Sequence, residues 1–229
     1  MQEVLLIIPS FNEEKNIGQV VGELERDFPQ FDYLVVNDGS TDGTARICRE
    51  KGYHMLNLPV NLGLAGCFQA GMKYAYEKGY RYAIQFDGDG QHRPEYIQAI
   101  REKMDEGYDL VIGSRFVGQP KGVSMRMIGS RLISWAIRLT TGESIADPTS
   151  GMRMFNREMI KEFALNINYG PEPDTVSFLI KQGARVAEVP VTIAKRLAGE
   201  SYLKPVVAAS YMVRMLISIL LIQNFRVRG

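Results

Sequence analysis

The stretch YRYAIQFDGDGQH, residues 80–92, is an apolar run that stops on two carboxylates. Residues 82–86 carry the aromatic and branched side chains of a buried strand, and the glycines after Asp87 and Asp89 turn the chain back. The same order of parts recurs upstream. Residues 4–8 are apolar and run into Pro9-Ser10-Phe11-Asn12-Glu13-Glu14, and residues 33–37 run into Asp38-Gly39-Ser40-Thr41-Asp42-Gly43-Thr44. Residues 54–57 and 110–113 also read as strands, and 16–28, 41–51, 65–78 and 94–105 read as helices between them. Strand–helix alternation at this spacing predicts an α/β fold with a mostly parallel sheet and helices on both faces. In such sheets ligands sit beyond the carboxyl ends of the strands. Each polar cluster falls on that edge.

With 229 residues, 45% hydrophobic and 23% charged, the chain has the composition of a globular protein with one sizeable core. Cys48 and Cys67 have no metal-ligand spacing, so no disulfide framework is expected and a reducing cytoplasm is the default. Glu3 stands where a signal peptide would carry basic residues, and the apolar run behind it is short.

The net charge of +1 conceals a division. Residues 1–109 hold 11 Lys+Arg against 18 Asp+Glu, and residues 110–229 hold 16 against 8. No acid occurs from 110 to 142, where Arg115, Lys121, Arg126, Arg131 and Arg138 stand. An anionic partner for this half is implied: lipid headgroups, phosphates or nucleic acid. Nucleic acid fits poorly, because the basic residues interleave with Met, Ile and Leu rather than with stacking aromatics.

Residues 124–139 form a basic amphipathic helical pattern, and 206–222 are apolar except for Ser210, Tyr211, Arg214 and Ser218. The two serines and Arg214 lie four apart, which predicts a narrow polar stripe. Seventeen residues are few for spanning a bilayer, and Arg214 at mid-span would cost ~2.5–3.5 kcal/mol. A helix lying in the membrane interface, with Arg226 and Arg228 near headgroups, is the expectation.

Asp87 and Asp89 on a turn, without a Cys or His cluster, suit a hard cation such as Mg²⁺ or Mn²⁺ bridging diphosphate oxygens. A solvated Asp-Gly turn would look the same. A phosphatase of the haloacid-dehalogenase type also ends a strand in D-x-D-G but needs a later acidic pair. Beyond Asp109 the only near pair, Glu172 and Asp174, follows no apolar strand. A non-catalytic membrane-binding module would explain the basic half but leave the edge clusters idle.

The segments IPSFNEE, VVNDGSTDGT, NLGLAGCFQAG, FDGDGQHRPE, VIGSRF and DPTSGMRMF occur in the order and spacing of family 2 glycosyltransferases with the GT-A fold. Within them the chain resembles most the dolichyl/polyprenyl-phosphate sugar synthases, over residues 4–201. The resemblance implies a Rossmann-like GT-A domain, residues 1–203, with residues 204–229 a membrane-associating helix. It implies inverting transfer of a hexose or N-acetylhexosamine from a UDP- or GDP-sugar to a polyprenyl phosphate, for cell-surface glycan synthesis at the cytoplasmic face of the membrane. By the same resemblance, Pro9, Phe11, Asn12 and Glu13 form the first nucleotide-binding loop and Asp38 meets the donor's base. Asp87 and Asp89, with Gln91 beside them, hold metal and diphosphate. Arg115 faces phosphate, Arg126 and Ser130 form an acceptor-phosphate pair, and Arg153 and Arg196 are later basic positions.

Arg is suited to these places because its rigid fork matches phosphate oxygens. An ionised lipid phosphate needs no strong base, so catalysis becomes positioning and charge stabilisation. A hydroxyl acceptor would need one, and Glu172, Asp174 and Asp147 are the acids that offer it. A homo-oligomer or a small membrane-protein partner is left open by the sequence.

Overall fold

The computed structural model describes residues 3–119, 122, 125–166, 169–194 and 205–225. Its strands are β1 (Val4–Ser10), β2 (Asp32–Asn37), β3 (Met55–Asn57), β4 (Tyr82–Gln85), β5 (Leu110–Ser114), β6 (Arg153–Asn156) and β7 (Val186–Pro190). Helices are α1 (Ile17–Asp27), α2 (Thr44–Glu50), α3 (Gly63–Lys78), α4 (Ile97–Asp105), α5 (Met125–Thr141), α6 (Arg157–Leu165), α7 (Pro173–Lys181) and α8 (Pro205–Leu220).

The strands form one sheet in the order β3-β2-β1-β4-β6-β5-β7. All pair in parallel except β6, which runs antiparallel between β4 and β5. The period-2 alternation of β1 explains its continuous apolar run, since both faces are covered. Leu5 and Ile7 enter a core with α3, α5, α6, α7 and α8, while Leu6 and Ile8 enter a second core with α1, α2 and α4. The chain proceeds outward from β1 to β3, then returns through α3 to lay β4 on the other side of β1. The sheet order therefore reverses between β1 and β4, the place where open α/β sheets leave a crevice.

The helix α2 starts at Thr44 rather than 41 because residues 41–44 are engaged elsewhere. The Thr41 N–H donates to Asn12 Oδ1 at 2.9 Å, and the Thr44 N–H to Asp42 Oδ1 at 2.9 Å. Sequence reading placed no strand between 140 and 205, where β6 and β7 lie with α6 and α7. The four residues of β6 have too short a pattern to register alone, and pairing on both edges makes them a strand.

The helix α8 is amphipathic, but its polar stripe divides. Ser210 and Arg214 are exposed, whereas Ser218 is buried with Met215 and Ile219 against the domain. The Ser218 hydroxyl donates to Asp174 Oδ2 at 2.6 Å on α7, and Gln223 donates to the Asp174 carbonyl. The expected single stripe is corrected on this point: a buried serine satisfies a buried carboxylate instead of facing water. Among the described residues no helix is long and apolar enough to cross a membrane. Ser218→Ala should lower the unfolding free energy by about 1.5–3 kcal/mol, the range for a hydrogen bond to a charged group. Urea unfolding would read this as a lower midpoint at constant slope, and an unchanged midpoint would show that the contact does not anchor α8.

Candidate functional site

Four carboxyl-end loops meet at the crevice. The first two are stitched together by side chain–backbone bonds. Asn12, with a left-handed backbone (φ 57°), receives the Ser40 hydroxyl oxygen as acceptor for its N–H at 3.0 Å. The Glu13 N–H donates to Thr44 Oγ1 at 2.8 Å, and Glu14 Oε2 accepts the Gly43 N–H at 2.8 Å. The Glu13 carboxylate accepts from the Asn16 amide at 2.6 Å. Asn12 and Glu13 thus shape the loop pair, with Pro9 at the end of β1 and Phe11 half-buried beside it.

Asp38 is buried at the end of β2 and spends both oxygens on the start of α3. The Leu62 N–H donates to Oδ1 at 2.7 Å and the Gly63 N–H to Oδ2 at 2.9 Å, a carboxylate on a helix N-terminus. Next to it Gly39 has φ +65°, and a Cβ there would meet the Val60 carbonyl carbon at 2.8 Å. Only glycine lets the loops pass so closely.

The fourth strand delivers the D-x-D turn. Gly88 lies flat on the end of β1, where a Cβ would stand 3.1 Å from Ser10 Oγ and 3.3 Å from the Pro9 carbonyl. Asp87 is partly exposed, and Asp89 is 6% exposed with Oδ1 accepting the Gln91 N–H at 3.0 Å. Gln91 is tied down through its carbonyl, which accepts the Ala194 N–H at 3.0 Å. Behind Asp87, Gln85 Nε2 stands 3.5 Å from Asp87 Oδ1, and Gln85 Oε1 is buried without a partner among the described residues. Sequence reading put His92 in this cluster but gave it no role. In the structure it is buried beneath the turn and meets Asp87 through both ring nitrogens.

Among the described residues no three His, Cys, Asp or Glu side chains converge as a metal cage. What the turn offers is two carboxylates with the buried Gln85 amide behind them. That incomplete set of hard oxygens fits Mg²⁺ or Mn²⁺, which commonly takes one or two carboxylates and completes its shell with phosphate oxygens and water.

Arg115, just past β5, is clamped by Asp147. Nε donates to Asp147 Oδ2 at 2.6 Å and Nη2 to Oδ1 at 2.7 Å, with Thr149 Oγ1 accepting a further bond from Nη2 at 3.0 Å. Its Nη1 has no hydrogen-bond partner among the described residues, and the side chain keeps contact with solvent. Asp147 is fully buried. Burial alone would raise its carboxyl, but the Arg115 bonds and charge outweigh that and hold it below the usual carboxylate range. Glu188 of β7 accepts the N–H groups of Ala146 and Asp147 at 2.6 and 2.8 Å, orienting the loop from below.

Arg153 is 2% exposed and does not face a crevice. Its guanidinium donates to the Pro148 carbonyl at 2.6 Å and to the Pro171 carbonyl, clasping two loops. Ser130 is also buried, in α5. The side chain of Arg126 and all of Lys121, Arg196, Arg226 and Arg228 lie outside the described residues. Glu172 accepts from the Tyr211 hydroxyl of α8, and burial with the Glu172 charge pushes that phenol up, so it remains a donor.

A mostly parallel sheet whose order reverses beside a two-carboxylate turn matches the GT-A fold. The solved glucosyl-3-phosphoglycerate synthase of Mycobacterium tuberculosis superposes with a TM-score of 0.69 at 21% identity, covering 97% of this chain and 80% of that one. Residues 5–163 match the family model described as glycosyl transferase family 2, and the chain belongs to that family. It is a glycosyltransferase. Over 215 residues it is 33% identical to the polyprenol monophosphomannose synthase of Mycolicibacterium smegmatis, spanning 87% of this chain and 80% of that protein. Over 212 residues it is 34% identical to the undecaprenyl-phosphate mannosyltransferase of Micrococcus luteus, spanning 86% of each.

The Arg115–Asp147 pair carries a pH signature. Because the folded carboxyl titrates below its ordinary value of 3.8, its contribution is complete at neutral pH and is lost as pH falls through that value towards the folded one. Asp147→Asn should cost about 3 kcal/mol at pH 7, the low end for breaking a buried pair. The deficit should shrink in acid. Denaturation of both proteins across pH checks it, and a pH-independent difference would contradict the assignment.

Proposed function

We propose that the protein transfers a sugar, with inversion, from a nucleotide diphosphate sugar to a polyprenyl phosphate at the cytoplasmic membrane surface. One observation carries the choice of acceptor. The three acids that the sequence offered as a base are each committed to a donor of the chain itself: Asp147 to Arg115, Glu172 to Tyr211 and Asp174 to Ser218. Asp147 is moreover held below the usual carboxylate range, which makes it a poor proton acceptor. A lipid phosphate attacks as an anion and needs none of them. The relatives named for polyprenol and undecaprenyl phosphate support the same acceptor.

In this reading Asp87 and Asp89, with Gln91, would hold Mg²⁺ or Mn²⁺ against the donor diphosphate. The cation, when bound, neutralises the charge that grows on the leaving nucleoside diphosphate. Crystals of the M. tuberculosis synthase with Mn²⁺ or Mg²⁺ and UDP are in keeping with this. The stitched first and second loops frame the nucleotide. Asp38 serves the base less directly than the family resemblance implies, by fixing the start of α3 beside it. Arg115, its plane set by Asp147 and Thr149, presents Nη1 to phosphate, and Arg126 and Arg196 bind the acceptor.

The membrane side is α5 with α8. Ile128, Leu132, Trp135 and Leu139 follow at helical spacing and are exposed, with Arg131 and Arg138 between them. On α8, Val213 and Ile217 are exposed in the same manner, as is Leu221 just past its end, with Arg214 beside them. An apolar stripe flanked by arginines suits insertion at the level of anionic headgroups.

A screen of UDP- and GDP-sugars with Mn²⁺ and a short polyprenyl phosphate should yield a glycolipid. Asp89→Ala should abolish it and Glu172→Gln should keep substantial activity. Transfer only to a sugar hydroxyl, with turnover falling ~10²–10⁴-fold in Glu172→Gln, would reject the phosphate acceptor. Trp135 is the single tryptophan and is 57% exposed. Its emission should shift to the blue when anionic vesicles are added, and not with neutral vesicles at high salt. An unchanged spectrum would remove α5 from the membrane.

A further inference from the structure

The histidine beneath the D-x-D turn has no part in the reaction described so far. His92 is buried edge-on to Phe86, with ring centroids 5.6 Å apart. The Asp87 N–H donates to its Nδ1 at 2.9 Å, and its Nε2 lies 3.3 Å from Asp87 Oδ2. A ring nitrogen that accepts carries no proton, so the neutral ring bears its proton on Nε2, facing the carboxylate. One residue therefore grips another at backbone and side chain together. Gly151 closes the arrangement from the 147–152 loop. A Cβ there would stand 3.2 Å from His92 Cε1 and 3.3 Å from Asp87 Oδ2, tighter than ordinary contact.

We propose that His92 is a positioning residue for Asp87, fixing the carboxylate's rotamer before the cation and diphosphate arrive. The proposal rests on the reading of Asp87 as a metal-holding carboxylate. Asp87 is 36% exposed on its side chain and would otherwise exchange rotamers. His92 removes that freedom from a buried position, and Gly151, where a Cβ would crowd both residues, leaves them room to meet. Residues that hydrogen-bond to metal-binding groups commonly set about 10–100-fold in metal affinity.

The chain contains two histidines, His54 and His92, so nitrogen-15 histidine spectra of the metal-free protein can be assigned directly. His92 should show an unprotonated Nδ1 and a protonated Nε2, and Asp87→Asn should shift both signals. The opposite tautomer overturns the proposal. Mn²⁺ is then titrated, by its paramagnetic resonance signal, into protein saturated with UDP and, separately, with GDP. His92→Phe keeps a ring against Phe86 and deletes both nitrogens. It should weaken Mn²⁺ about 10–100-fold, and His92→Asn, whose amide oxygen can accept the Asp87 N–H, should recover part of the loss. Wild-type Mn²⁺ affinity in His92→Phe overturns the positioning role. If that variant does not fold, His92→Asn and the tautomer decide. Asp87→Asn separates the two readings: loss of Mn²⁺ there but not in His92→Phe discards positioning alone, whereas retention in both discards the metal-holding turn.

Discussion

The bidentate bond between Arg115 and the fully buried Asp147 is the interaction on which the rest of the site depends. A carboxylate out of water must be met by donors on every side, and Arg115, Thr149 and the Arg115 N–H meet it. Once Asp147 is held, the residues after it have little freedom. Ser150 donates to the Gly113 carbonyl at 2.5 Å, Gly151 lies against Asp87 and His92, and Arg153 begins β6. The 147–153 segment so joins the ends of β4 and β5 to the loops that lead to α7.

From that segment a series of polar contacts reaches the C-terminal helix. Arg153 clasps the carbonyls of Pro148 and Pro171, Glu172 receives Tyr211, and Asp174 receives Ser218. The D-x-D turn and the apolar α5–α8 face therefore stand on one continuous scaffold. In the proposed reading, where the acceptor has its head in water and its tail in lipid, such rigidity would keep the phosphate at a set depth relative to the donor. It also accounts for buried acids in the basic half of the chain: they anchor helices and loops.

The first half was legible because its strands are short apolar runs that end on polar clusters and its helices repeat at three to four. The D-x-D turn was legible because its carboxylates end an apolar run. Boundaries such as Thr44 for α2 were not, since Asn12 and Asp42 decide them from a distance. The family resemblance sets Arg115 against phosphate and makes Arg153 a later basic position, yet the Arg115 side chain keeps contact with solvent and Arg153 is sealed between carbonyls. Residue type is common to both; burial is a property of the fold.

What the sequence by itself determined is therefore the α/β alternation, the functional edge of the sheet, the family, and the carboxylate turn. Each of these depends on neighbours close along the chain or on ordered segments. Only the tertiary structure decided that β6 enters antiparallel, that Ser218 turns inward to Asp174, and that His92 closes on Asp87 beneath Gly151. Those outcomes pair residues from distant segments, or set which side of a turn becomes dry. Desolvation, which makes an unpaired polar atom costly, acts only when the chain has closed around it.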